Sequence, residues 1–156
     1  FYEAVQRSAG ANLGVAFIPD AHDLKAPDLA GLPEPFVDRL ADIDALLQNV
    51  DRTAANPNIM RDAAGVHWAI DFGACLLFDR LARGANAPSL DIPPNHFLAG
   101  ATGLSYSVRE AAQSIDGPFL ATIIQALPEA WLEDLGLARS ALQHRMAAYL
   151  EALRAA

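Results

Sequence analysis

Apolar residues recur at helical spacing over Phe36, Val37, Leu40, Ile43, Leu46 and Leu47, with Asp38, Arg39, Asp42 and Asp44 assigned to the outward side. This pattern predicts an amphipathic helix entered at Pro35, a residue suited to the first helical turn. Upstream, Phe1 to Ser8 reads as the end of a helix closed by Gly10, and Ala11 to Pro35 as mostly loop, punctuated by Gly14, Pro19, Pro27, Gly31, Pro33 and Pro35. The C-terminal half is predominantly helical. Segments His96–Ala101, Ser107–Ile115, Gly117–Leu127 with Asp116 as cap, and Pro128–Leu135 closed by Gly136 precede a last helix over Leu137–Arg154. The stripe of that last helix is Leu142, Met146, Tyr149, Leu150 and Leu153. Ala74 to Phe78 is a short apolar run that periodicity assigns to neither strand nor helix.

Between the two helical regions the period changes. Asp62-Ala63-Ala64-Gly65 has Asp first and Gly last in a four-residue turn, which predicts a β-hairpin. A turn centred between Ala63 and Ala64 pairs Ile59 with Trp68, Asn58 with Ala69, and Asn56 with Asp71. Alternation then puts Ile59, Arg61, Val66, Trp68 and Ile70 on a mostly apolar face, and Asn56, Asn58, Met60, His67, Ala69 and Asp71 on the other. Asp51 stands five residues before Asn56 on the approaching loop. The expected fold is α+β with helix predominating, in one domain spanning residues 1–156.

Two carboxylates and an amide gathered at one end of a hairpin suit phosphoryl transfer. That reaction needs oxygen ligands for magnesium on the phosphates and a carboxylate that orients the acceptor hydroxyl and takes its proton. Asn56 and Asp71 are the candidate metal ligands, and Asp51 the candidate base. Asp51 to Asn56 has the D-x-x-x-x-N spacing of kinase catalytic loops, and Asp71-Phe72-Gly73 reads as D-F-G. Met60, on the same face, is a candidate contact for an adenine ring.

Asn49-Val50-Asp51-Arg52-Thr53, Asn56-Pro57-Asn58 and Trp68-Ala69-Ile70-Asp71-Phe72-Gly73-Ala74 resemble the active-site run of the HipA-like bacterial kinases. The likeness extends more loosely to Ser8–Gly14 and to Leu127–Leu132, and so spans most of the chain. It implies a protein-kinase-like C-terminal lobe with a small catalytic β-hairpin, using ATP and Mg2+ to phosphorylate a hydroxyl of protein Ser/Thr, a small molecule or a lipid. Kinases of this kind draw a phosphate-covering loop and a lysine from an N-terminal lobe. Here the single lysine is Lys25, no G-x-G-x-x-G occurs, and the first residue is Phe1. The expectation is a catalytic lobe whose N-terminal lobe is a missing partner.

Composition narrows the classes. Hydrophobic residues make up 53 % of the 156, ample for a core. The net charge of -8 without a basic cluster argues against nucleic acid as partner. One cysteine, Cys75, excludes an internal disulfide and suits a cytoplasmic setting; no apolar run reaches membrane-spanning length.

Several residues carry competing assignments. Arg52 can contact phosphate or hold the loop by a salt bridge, Asn58 bonds locally, and Trp68, Phe72 and Phe78 are core or cleft lining. All four histidines are structural, and Cys75 is a small buried residue. The segment Arg80–Pro94 lies where an activation segment or substrate loop would. Two other classes compete with the kinase. One is a kinase lobe that only binds a partner, which an exposed apolar patch on the cleft floor would favour. The other is a serine hydrolase, because Gly103-Leu104-Ser105-Tyr106-Ser107 approaches G-x-S-x-G, although Ser107 replaces the second glycine.

Overall fold

The computed structural model describes residues 10, 14–75, 91–100, 108–134 and 136–155. The predicted helix over Phe1–Ser8, the run past Cys75, and Ser105 and Ser107 of the hydrolase motif lie outside them. Helix predominates, accompanied by one three-stranded antiparallel sheet in the order β1 (His22–Asp23), β2 (Ile59–Arg61), β3 (His67–Ala69). Strand β1 falls in the stretch expected to be loop. It pairs His22 with Arg61 and Asp23 with Met60, and the Leu24 amide extends the ladder to the Ile59 carbonyl at 2.9 Å. A 3-10 helix (Ala26–Gly31) then leads to α1 (Glu34–Leu47), which starts one residue earlier than predicted, with Pro33 as cap and Pro35 second in the first turn. Pro35 lacks an amide hydrogen that neither of the first two helical positions uses. The helix stops at Gln48, whose left-handed φ of 51° turns the chain into the loop.

The hairpin forms, but its register is shifted by one residue. Observed partners are Ile59 with Ala69, Met60 with Trp68 and Arg61 with His67. The cause is the turn. The Gly65 amide donates to the Asp62 carbonyl at 3.0 Å, and the Asp62 amide to the Val66 carbonyl at 3.1 Å, with Gly65 at φ +81°. This is a type I turn followed by a left-handed residue, a bulge that adds one position to the returning strand. A one-residue shift exchanges faces. Ile59 is therefore buried with Ala69 packed beside it, and His67 lies against Phe36 with 5.5 Å between ring centroids. Trp68 and Val66 face outward, the indole 42 % exposed, so Trp68 is not a core residue.

Two apolar clusters stand on either side of α1. On the sheet side, Leu24, Leu40 and Ile59 are buried, flanked by Leu29, Leu32, Phe36, Ala69 and Phe97. On the other, α2 (Val108–Ser114), α3 (Gly117–Gln125) and α5 (Arg139–Ala155) bury Ala112, Leu120, Tyr149 and Leu150. Asp116 caps α3 through the Phe119 amide at 2.8 Å, as its position before the apolar run predicts. Short α4 (Glu129–Asp134) precedes Gly136, at φ 59°. Leu46 packs on the second cluster, and the Tyr149 hydroxyl donates to its carbonyl at 2.6 Å, tying α1 to the helical half. The predicted helix over His96–Ala101 is instead a run of turns through Gly100, with the His96 amide on the Pro93 carbonyl and the Ala99 amide on the His96 carbonyl, each at 2.9 Å. Among the described residues no helix is long and apolar enough to cross a membrane.

Candidate phosphoryl-transfer site

The loop Asn49–Asn58 connects α1 to β2, and its form is set from beneath by a buried carboxylate. Asp44 is 0 % exposed, so its assignment to the outer face of α1 is wrong, and Ile43, 43 % exposed, takes that place. The spacing carried the signal. Asp44 lies four residues beyond Leu40, on the same face, between Ala41 and Ala45, whose small side chains leave room around it. Burying a charge requires partners. Arg52 Nε donates to Asp44 Oδ2 at 2.5 Å, His96 Nε2 lies 2.9 Å from the same oxygen, and Asn49 Nδ2 donates to Oδ1 at 3.0 Å. The Leu98 amide donates to His96 Nδ1 at 3.0 Å, so the neutral ring carries its hydrogen on Nε2 and donates to the carboxylate.

Arg52 is 0 % exposed and gathers three parts of the chain. Besides Asp44, its Nη1 donates to the Pro57 and Asn58 carbonyls at 2.8 Å each, and its Nη2 to the Ile70 carbonyl at 3.3 Å. Phe72 lies across the guanidinium, 5.0 Å from ring centroid to carbon. Of the two roles open to Arg52, the structure shows the structural one. The same side chain that holds the loop's exit holds the residue before Asp71.

Asp51, Asn56 and Asp71 are all exposed. Asn56 Nδ2 donates to Asp51 Oδ2 at 3.0 Å, and Asn58 Nδ2 approaches that oxygen at 3.5 Å. The Asp51 amide donates to Asn49 Oδ1 at 3.2 Å, which links the acid to the buried node through one asparagine. Thr53 closes the turn, its hydroxyl and carbonyl each accepting from the Asn56 amide at 3.1 Å. The expected pairing of Asn56 with Asp71 does not occur. Instead the Ile70 amide donates to the Asn58 carbonyl at 2.9 Å, and this bond brings Asp71 to the loop.

Asn58 and Asp71 adopt left-handed backbone, at φ 50° and 53°. Asn and Asp tolerate this region better than other side-chain-bearing residues, and such conformations concentrate at functional sites. Asp71 Oδ1 accepts from the Gly73 amide at 3.2 Å, and a Cβ on Gly73 would stand 3.2 Å from that oxygen. Glycine thus lets the backbone approach the carboxylate closely. Cys75, half-buried two residues on, has its thiol pushed up to about 11, first by burial and then by the charge of Asp44, which disfavours it as a nucleophile at neutral pH.

Met60 is half-buried on the strand face opposite Ile59, beside Trp68. Trp68 and Ile70 line a groove of about 610 Å3 with Val15, Phe17, Ile18 and Pro19, and Asp20 and Asp62 at its polar positions. Trp68 Nε1 donates to Asp62 Oδ2 at 3.0 Å; this bond, with the Val66 amide next in weight, holds the Asp62 carboxyl below its ordinary range.

Magnesium commonly takes one or two protein oxygens and completes its octahedron with phosphates and water. The Asn56 amide oxygen, the exposed Asp71 carboxylate and Asp51 supply such donors. Among the described residues no three His, Cys, Asp or Glu side chains gather as metal ligands, so an all-protein cage is not what this surface offers. Comparison of the chain with protein-family models, curated proteins and solved structures finds no match to any of them.

Proposed function

We propose that the chain is the catalytic lobe of a kinase-like phosphotransferase, transferring the terminal phosphoryl group of ATP to a hydroxyl, with a protein serine or threonine as the preferred acceptor. The observation that carries this reading is the exposed Asp51–Asn56 pair, 3.0 Å apart, on a loop that buried Arg52 ties to the residue before Asp71. Asp51 would orient the acceptor hydroxyl and receive its proton, while Asn56 and Asp71 offer oxygens to a nucleotide-bound magnesium ion. Magnesium bound with the nucleotide supplies charge neutralisation across the phosphates. Arg52 keeps the two halves of the site in register without touching substrate.

The test is phosphotransfer by the intact protein, read as magnesium-dependent transfer from labelled ATP. Asp51→Asn should lower turnover by about 10²- to 10⁴-fold, the usual worth of a positioned general base. Asp71→Asn, which preserves the left-handed backbone, should abolish the magnesium dependence of nucleotide binding. Turnover near wild type in either variant would overturn the assignment. A second reading, a lobe that binds a partner without catalysis, is favoured by one feature: the groove beside the site exposes Val15 (81 %), Phe17 (87 %) and Trp68 (42 %). Nucleotide binding without magnesium dependence would favour it.

A further inference from the structure

The residues on either side of Asp51 are held from one direction by a single segment. Asn95 Nδ2 donates to the Val50 carbonyl at 2.7 Å, and the Phe97 amide donates to the Arg52 carbonyl at 3.0 Å. Between these two contacts, His96 reaches Asp44 Oδ2. The carbonyls before and after Asp51 are thus both pinned, and the acid between them is left pointing outward.

The segment doing this is itself firmly seated. Leu98 is buried, Phe97 packs on the Leu24–Leu40–Ile59 cluster, and the His96 and Phe97 rings are stacked with centroids 5.1 Å apart. At its start, the Asp91 carbonyl accepts from Gln48 Nε2 at 3.2 Å, at the end of α1. Apolar burial fixes the strap, and its polar groups transmit that rigidity to the loop.

We infer that the strap Asp91–Gly100 positions the backbone on both sides of Asp51, and that Asn95 is a positioning residue which acts through the Val50 carbonyl and touches neither nucleotide nor metal. The kinetic consequence rests on the phosphotransferase reading; the structural one does not. Asn56 bonds to Asp51 directly, and Asp71 reaches the loop through the bond of the Ile70 amide to the Asn58 carbonyl, so the strap acts on the metal-binding oxygens only by way of the loop and its effect on turnover should exceed its effect on nucleotide binding. Misplacing a base by a fraction of an ångström costs turnover more than binding.

The experiment compares the wild type with Asn95→Ala, a change at an exposed position that removes the donor to the Val50 carbonyl without adding a charge beside the site. Hydrogen exchange of the Asp51, Thr53 and Phe97 amides should accelerate roughly tenfold, the worth of one hydrogen bond, while amides of α3 and α5 keep their wild-type rates. Unchanged loop exchange, or acceleration spread evenly over the molecule, would overturn the inference. In the kinetic arm, kcat should fall roughly ten- to hundredfold with a much smaller change in the Kd for magnesium–ATP. A matched loss of nucleotide affinity would also overturn it. Absence of phosphotransfer in the wild type would end the functional proposal alone, since the exchange result still decides whether the strap positions Asp51.

Discussion

The two sides of α1 are built on opposite chemistry. Toward the helical half, Ala112, Leu120, Tyr149 and Leu150 form an apolar cluster; the Tyr149 hydroxyl reaches from it to the Leu46 carbonyl, its phenol pushed above its ordinary range by burial, and Arg154 Nε donates to the Ala112 carbonyl at 3.1 Å. Toward the loop, Asp44, Asn49, Arg52 and His96 form a polar node from which water is excluded, and among the described residues no buried side-chain polar atom lacks a partner. Apolar packing is non-directional and tolerates volume-conserving exchange. Hydrogen bonds weaken steeply with angle, so a node of charge-assisted bonds fixes direction as well as distance. The helical half supplies stability, and the node spends some of it to hold a loop in one shape.

That contrast can be broken experimentally. Asp44→Ala strips the buried guanidinium of its counter-charge and the His96 ring of its acceptor, and should destabilise the protein by about 3–5 kcal/mol in urea denaturation. A loss below about 1 kcal/mol would mean that the node relaxes or admits water, and that direction is set elsewhere. Leu120→Ala removes a buried side chain from the helical cluster and should cost about 3 kcal/mol. Its loop should nevertheless keep the wild-type Asp51 amide exchange under native conditions; faster exchange there would show that the two sides are not separable.

The smallest effect concerns the hairpin tip, which belongs to neither cluster. The Asp62 carboxyl is held low chiefly by the Trp68 indole. A group whose folded value is depressed contributes stability above its unfolded value, and that contribution is lost as pH falls through the folded value. In a Trp131→Phe background, Trp68 fluorescence should therefore change with a midpoint below the usual carboxylate range of about pH 4. A midpoint at or above that range would remove the indole–carboxylate bond from the description of the tip. The site itself would be unaffected.

How much of this was legible beforehand differs residue by residue. The Asp62–Gly65 turn, the Asp116 cap and the final helix follow from local spacing, and all three are present. The hairpin register is not legible, because a plain four-residue turn and one whose fourth residue is left-handed and adds a bulge share the same sequence signal, and Gly65 permits either. A helical carboxylate is ordinarily solvated, which is why pattern alone sets Asp44 outward; the face it occupies is readable from its spacing to Leu40, but its counter-charge is not. Asn49, which in the sequence is only one position of a motif, is the link between Asp51 and the node.

By itself the sequence determined what depends on neighbours a few positions away: where α1 and the C-terminal helices run, where the chain reverses, and the Asp51, Asn56 and Asp71 spacing that proposes a chemistry. Only the tertiary structure decided which side of α1 carries a charge, that His22–Asp23 is a strand, and that His96 meets Asp44 across 52 residues. The physical reason is that local propensities are fixed by bonded geometry, whereas a buried carboxylate exists only where distant donors converge to replace the water it gave up.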